Sequence, residues 1–244
     1  MSSLAEAERL RQEPRVLSVD KGYELWAPTY DHDLNPLLAL EERVLTPLLP
    51  SLQGKVVLDL GCGTGRWLKR LLESGAREGV GLDASPAMLA QAGSKALLRG
   101  RLVRGDGLDI PFRSQAVDLV ICSFVIGHLA KLAEFAREVA HVMKPDGDLY
   151  VSDLHPQAYA RGWRTGFRDG KGNGSREIAA LGHSLDRVVE VFQTERLEIL
   201  HCLQPHLGEA EKHIFEQTGK EPLFQAACEL PAVLICHFKH CDST

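Results

Sequence analysis

The sequence predicts an α/β fold: a doubly wound, Rossmann-like sheet, mostly parallel, with helices packed on both faces. Three observations predict it. Short runs of β-branched and apolar residues alternate with segments of helical periodicity, the mark of successive βαβ units. The runs are apolar almost without interruption, as strands buried on both faces must be. A glycine-rich turn joins the first run to the helix behind it. The 244 residues suffice for one well-filled core, and 44% hydrophobic with 25% charged residues is an ordinary globular balance.

The elements follow in order. Residues 4–30 read as helical and irregular, with aromatics at Tyr23, Trp26 and Tyr30. "PLLALEERVLTPLL" (36–49) carries apolar residues at helical spacing, and Pro50 closes it. "KVVLDL" (55–60) is the first strand. "GRWLKRLLESGA" (65–76) is a helix with Trp67, Leu68, Leu71 and Leu72 on one face and Gly75 as its stop. "EGVGLD" (78–83) is the second strand. Ser85 and Pro86 read as an N-cap and a first-turn proline opening the next helix. "RLVRGD" (101–106) and "VDLVICSFV" (117–125) are the third and fourth strands. "KLAEFAREVAHVM" (131–143) is an amphipathic helix ended by Lys144-Pro145-Asp146-Gly147, and "DLYVSDL" (148–154) is the fifth strand. Residues 155–183, rich in glycine and arginine, read as a long loop or small hairpin inserted over the sheet. Ser184 caps a further helix. Two closing strands, "LEILHCLQPH" and "PAVLICHFKH", bracket a helical stretch at 209–227 and bring the sheet to seven strands.

Composition excludes several roles. A net charge of −5 gives no general attraction to nucleic acid or anionic membrane. No apolar stretch is long enough to span a bilayer, and the polar first residues carry no secretory signal, so a cytoplasmic protein is expected. The six cysteines form no CxxC pair and read as buried free thiols.

The glycine turn carries the chemistry. In doubly wound sheets a ligand binds at the carboxyl ends of the strands, where strand order reverses. Gly61, Gly63 and Gly65 stand at alternate positions, not in the G-x-G-x-x-G spacing of dinucleotide sites. Asp59, two residues before the first glycine, would repel a pyrophosphate and suits an ammonium. Asp83 ends the second strand, where an acid accepts both ribose hydroxyls, and Asp106 ends the third, where the adenine should lie. Three acids at successive strand ends, without the lysine of a phosphate loop, describe an adenosine with a cationic amino-acid tail: S-adenosylmethionine. Each residue also has a plainer reading, as a tight turn, a helix cap or a turn acid.

"VVLDLGCGTG", "GVGLDAS", "RGDGLDIPF", "FVIGHL" and "VMKPDGDLYVSD" resemble, in order, the landmark segments of class I S-adenosylmethionine-dependent methyltransferases. "GYELWAPTYD" looks like the N-terminal aromatic segment of the small-molecule branch related to ubiquinone and menaquinone biosynthesis. The likeness covers about residues 20–154. It implies a last strand that runs in reverse, an N-terminal helical cap (1–50), a cofactor-binding core (51–154), a substrate lid inserted after the fifth strand (155–183), and the rest of the core sheet (184–244), all as one domain. It also implies that backbone from Gly61 through Cys62 and Gly63 to Gly65 contacts the methionine part and Asp83 with Ala84 the ribose. Met88 would lie under the adenine and Asp106 with Gly107 at its edge. Ser123 and Phe124 would line the methyl channel, and Tyr23 and Tyr30 would cover the cofactor. Cys62 stands where the family takes several small residues.

The histidines divide. His128 touches cofactor or substrate, or else only packs. His155, held extended by Pro156, sits at the pocket mouth, and His183 returns over it. His155 and His128 are the candidates for a general base. Tyr159, Trp163 and Arg164, with His155 and His183, are the candidate substrate contacts. Arg161, Arg164, Arg168, Lys171 and Arg176 make the insertion basic, which suits an anionic acceptor or merely a solvated loop. Trp163 and Phe167 are expected to fold down. No metal site is expected. The reaction implied is in-line methyl transfer to a small molecule, by a monomer or homodimer. The competing readings are a sensor or non-methylating catalyst that binds the same cofactor, and an NAD-dependent oxidoreductase.

Overall fold

The computed structural model describes residues 15–168 and 174–241. Its centre is a seven-stranded sheet built from β2 (Val56–Leu60), β3 (Glu78–Asp83), β4 (Leu102–Arg104), β5 (Val117–Ser123), β6 (Met143–Leu154), β9 (Leu197–Leu203) and β10 (Val233–His240). The spatial order is β4-β3-β2-β5-β6-β10-β9. Pairs from β4 across to β6 are parallel, while β10 runs antiparallel to both β6 and β9. The last strand is therefore the reversed one, inserted between its two predecessors. The chain works outward from β2 to β4, then returns to β5 beside β2. That reversal opens a cleft at the carboxyl ends of β2 and β5.

Alternation along the strands supplies both faces. Leu58, Val120, Cys122, Leu149 and Val151 point to one side, where α5 (Leu132–Val142) and α7 (Leu185–Thr194) cover them. Val57, Leu119, Ile121 and Tyr150 point to the other, against α2 (Pro36–Leu45), α3 (Arg66–Glu73) and α8 (Glu209–Gln217). α4 (Pro86–Ser94) covers the β3–β4 edge, where Ala92 and Leu98 close a small cluster on Leu68. Capping follows the residues singled out in the sequence. Ser85 Oγ accepts from Met88 N, and Ser184 Oγ accepts from Arg187 N.

Several boundaries differ from the expected ones. β4 is three residues long, and β5 ends at Ser123 because Phe124 turns left-handed, φ 55°. β6 begins at Met143, not Asp148: the Lys144–Gly147 stretch is a bulge within the strand, with Asp146 at φ 56° and the register jumping between Val117 and Leu119. Over the part of residues 4–30 that is described, the chain forms β1 (Arg15–Leu17) and α1 (Val19–Trp26). β1 pairs in parallel with β8 (Ser175–Ile178), which hairpins back on β7 (Gly166–Arg168). The insertion after β6 thus holds α6 (Pro156–Ala160) and a hairpin that the N-terminal strand extends to three strands. A small core joins the two regions: Trp26 stacks on Phe167 at 5.3 Å, with Leu17 and Ile178 buried alongside. Lys171 lies outside the described residues.

Candidate functional site

The glycine turn is sterically compelled. Gly61, Gly63 and Gly65 have φ of 65°, 54° and 81°, a region that favours glycine. A Cβ at Gly61 would stand 2.2 Å from Val125, and one at Gly65 2.3 Å from Leu98. Around a Cβ at Gly63 there is open space to 4 Å, so this is the face of the turn that a ligand can approach. The Gly61 and Cys62 N–H groups both donate to Leu82 O, which pins the turn to β3.

Two acids brace this turn. Asp83 Oδ2 accepts from Gly63 N at 2.7 Å and Oδ1 from Ser85 N at 2.7 Å. Asp59 is buried, 2% exposed, and its Oδ2 accepts from Leu68 N in the first turn of α3. Burial pushes the Asp59 carboxyl up to about 7, against the Leu68 N–H and the Arg66 charge, which pull it down. Burial raises Asp83 as well, against its two backbone donors. Burial is what raises both acids, so a cation placed beside them would favour their ionised forms. Each carboxylate also keeps acceptor capacity beyond its backbone bonds.

Above the turn lie the aromatics of the N-terminal segment. Tyr30 is pushed up to about 12 by burial, with Arg66 opposing and Glu41, Asp31 and Asp83 adding to the rise. Tyr23 is raised by burial, then by Tyr30, Asp153 and Asp83, so it stands between the acids ending β3 and β6. Asp31 ties this segment down: it accepts from Thr64 Oγ1 at 2.5 Å and pairs with Lys95 Nζ at 2.7 Å. Met88 is buried under α4, 2% exposed, whereas Ala84 is exposed. Asp106 is exposed and accepts from Leu108 N at 3.0 Å, and Gly107 leaves no room beside Phe135.

Beneath the turn is a network that the sequence reading did not find. Glu41 of α2 is fully buried. It accepts from Arg66 Nη2, Trp67 Nε1, Ser123 Oγ and Ser152 Oγ. Arg66 Nη2 also donates to Ser123 Oγ at 3.0 Å. Ser123 is therefore held by the protein from both sides. Phe124, left-handed at φ 55°, donates its N–H to Ser152 O.

The histidines separate cleanly. His155 is the N-cap of α6: its Nδ1 accepts from Gln157 N, so its Nε2–H donates to Gln204 Oε1 at 2.8 Å. Both ring nitrogens are taken, and the residue is 3% exposed. His128 Nδ1 lies 2.9 Å from Ala179 O, which can only accept, so Nδ1 carries hydrogen and Nε2 accepts from Tyr23 Oη at 3.0 Å. His183 Nε2 lies 2.9 Å from Leu129 O and so carries hydrogen, and in the neutral ring the lone pair sits on Nδ1.

His128 and His183 meet at one small cavity beyond the ends of β5 and β6, with Asp153, Tyr159 and Leu181. Its volume is about 20 Å³, room for roughly one water molecule. Bonds from the 179–183 segment close it: Leu181 N to Gly127 O, His128 Nδ1 to Ala179 O, and His183 Nε2 to Leu129 O. Arg164 is not on its wall. Its guanidinium stacks on the Tyr159 ring at 4.1 Å and donates to the Tyr159 and Trp163 carbonyls. Trp163 packs half-buried on the opposite face of the core sheet. The described residues hold no group of three metal-donor side chains, and all six cysteines are free.

A reversed last strand, a cleft where strand order turns back, and a glycine turn flanked by acids define the class I methyltransferase architecture. Residues 57–147 match the family described as a methyltransferase domain. Over that segment the chain is similar to the S-adenosylmethionine-dependent methyltransferases, a family whose cofactor is S-adenosylmethionine. It is 34% identical over 130 residues to the biotin biosynthesis bifunctional protein BioHC of Cellvibrio japonicus, covering 53% of this chain and 26% of that one. It is 29% identical over 166 residues to a demethylmenaquinone methyltransferase of Listeria welshimeri, covering 64% and 70%. The crystal structure of an S-adenosylmethionine-dependent methyltransferase from Mesorhizobium loti superposes with a TM-score of 0.66 at 20% identity, over 84% of this chain and all of that one.

Proposed function

We propose that the protein transfers a methyl group from S-adenosylmethionine to a small-molecule acceptor by in-line displacement. The reading is carried by one observation: an open, left-handed glycine turn at the strand-order switch, flanked by two acids that form no ion pair among the described residues. In this reading Asp59 receives the ammonium of the cofactor and Asp83 its ribose hydroxyls, with Met88 and Asp106 beside the adenine. The cofactor brings a methyl group already activated by its sulfonium. What remains for the chain is to align an acceptor and exclude water, and alignment alone contributes about 7–11 kcal/mol. Tyr23, Tyr30 and the Asp31–Thr64–Lys95 ties close the cleft from above. The insertion after β6 acts as a lid over the acceptor side, because the 179–183 bonds would have to open before anything larger than water could enter.

The acidic net charge supports a free small molecule over nucleic acid or a membrane surface as partner. No described helix is long and apolar enough to cross a membrane. A cytoplasmic monomer or homodimer completes the reading. The test is formation of S-adenosylhomocysteine when the protein and S-adenosylmethionine are incubated with a panel of small hydroxyl, amine and thiol compounds. The account expects acceptor-dependent product. Tight cofactor binding with no product from any class would instead favour a sensor or a non-methylating catalyst.

A further inference from the structure

Asp153 and His183 form a polar seat in the closed cavity that no resemblance assigns. Asp153 ends β6. Its Oδ2 accepts from Gly127 N and its Oδ1 from Leu154 N, both at 2.7 Å, so each oxygen keeps a free lone pair. Leu129 O holds hydrogen on His183 Nε2, so in the neutral imidazole Nδ1 is the nitrogen with the lone pair. The rest of the wall is apolar or neutral: Ile126, Leu154, Val188 and Leu234, with the Tyr159 ring. Among the described residues, no lysine or arginine lines it. Of the basic residues of the insertion that suggested an anionic acceptor, Arg161 and Arg168 are exposed, and Arg164 is spent on backbone carbonyls and the Tyr159 face. An anion would meet the partly buried Asp153 carboxyl here, whereas a cation would find a partner in it.

We propose that this cavity is the acceptor site and that it takes a small amine, seated by its nitrogen on Asp153 and His183 with its apolar part against Ile126, Val188 and Leu234. The proposal rests on the methyltransferase reading and names its acceptor class. The ammonium donates to the Asp153 carboxylate, and the His183 Nδ1 lone pair takes one proton from it. The nitrogen then holds the lone pair that forms the new N–C bond. The proton leaves His183 for solvent. Tyr23 bonds His128 on the cavity wall while feeling both Asp83 and Asp153, so it stands where the acceptor site and the cofactor cleft join.

Three isosteric probes test this: benzylamine, benzyl alcohol and benzoate, titrated by calorimetry into the protein saturated with S-adenosylhomocysteine. Benzylamine is expected to bind at least about tenfold more tightly than the alcohol, the size of one charge-assisted hydrogen bond, and benzoate most weakly. Asp153→Asn keeps an acceptor for Gly127 N. It is expected to erase the amine preference while S-adenosylhomocysteine affinity and the melting temperature hold. Equal binding of amine and alcohol, tighter benzoate, no measurable benzylamine binding, or a preference that survives Asp153→Asn would each overturn the assignment. Failure of S-adenosylhomocysteine itself to bind would instead strike the methyltransferase reading beneath it.

Discussion

Asp83→Ala should weaken S-adenosylhomocysteine binding about 10- to 150-fold. That range is the loss of one charged hydrogen-bonded contact worth roughly 1.5–3 kcal/mol. The residue has two tasks in the structure. Its carboxylate accepts from Gly63 N and Ser85 N, which shapes the ligand face of the glycine turn, and its remaining lone pairs face the cleft. Asp83→Asn separates the tasks, since the amide oxygen can still receive one backbone N–H while the charge is gone. The amide variant should fall between wild type and alanine in affinity and melt below wild type but above alanine, because its NH2 faces the second backbone N–H. Calorimetric affinities within about twofold of wild type for both variants would remove Asp83 from the site.

Replacing Glu41 with alanine should cost about 3–5 kcal/mol of stability, because it leaves the partly buried Arg66 guanidinium only its 3.7 Å ion pairing with Glu42 and three other donors without their acceptor. Arg66, Trp67, Ser123 and Ser152 all converge on this one carboxylate, which the surrounding protein hides completely from solvent. For a chain of this size the melting temperature should fall by about 6–20 °C. Glu41→Gln keeps the shape, yet turns one acceptor into a donor that faces other donors, so it should also destabilise, though less. The network holds α2, the start of α3 and the ends of β5 and β6 in one place. Cofactor affinity should therefore drop in Glu41→Gln even at temperatures where the variant is folded. Chemical denaturation showing a loss under about 1 kcal/mol for alanine would mean that solvent or relaxation satisfies the stranded groups.

The two acids show what a sequence discloses. Asp83 is legible because it closes the apolar strand that follows the glycine motif and its helix, a local signal. Glu41 is not, because "LALEERV" reads as an amphipathic helix with a solvated acidic face. Its four partners come from residues 66–67, 123 and 152, and only the folded sheet brings them together. Asp153 was within reach. It ends a strand as Asp59, Asp83 and Asp106 end or follow theirs, and the same logic applied to the fifth strand would have found it. The sheet was readable from its apolar runs, down to its seven strands. The bulge in β6 was not, since Lys144-Pro145-Asp146-Gly147 has the composition of a turn. β1 is three residues paired with β8 some 160 positions away, too short for any periodicity and too distant for any local rule. His155 carried a plainer signal than the pocket role read into it: a polar residue before Pro156 is an N-cap ahead of a first-turn proline, and that is how the ring is used.

The electrostatics of the glycine turn are tested most directly by the pH dependence of binding. Asp59 has its folded value raised to about 7, above the roughly 3.9 of an unfolded aspartate. In the free protein its contribution to stability is thus fully present below pH ~4 and lost as the pH rises through 7. A ligand whose ammonium needs the ionised carboxylate must expel that proton. Calorimetry of S-adenosylhomocysteine should accordingly show binding about tenfold weaker at pH 6 than at pH 8, with proton release, while 5′-methylthioadenosine, which lacks the amino-acid tail, stays nearly flat. Parallel curves for the two nucleosides, or tighter binding of S-adenosylhomocysteine in acid, would contradict a cationic tail beside Asp59.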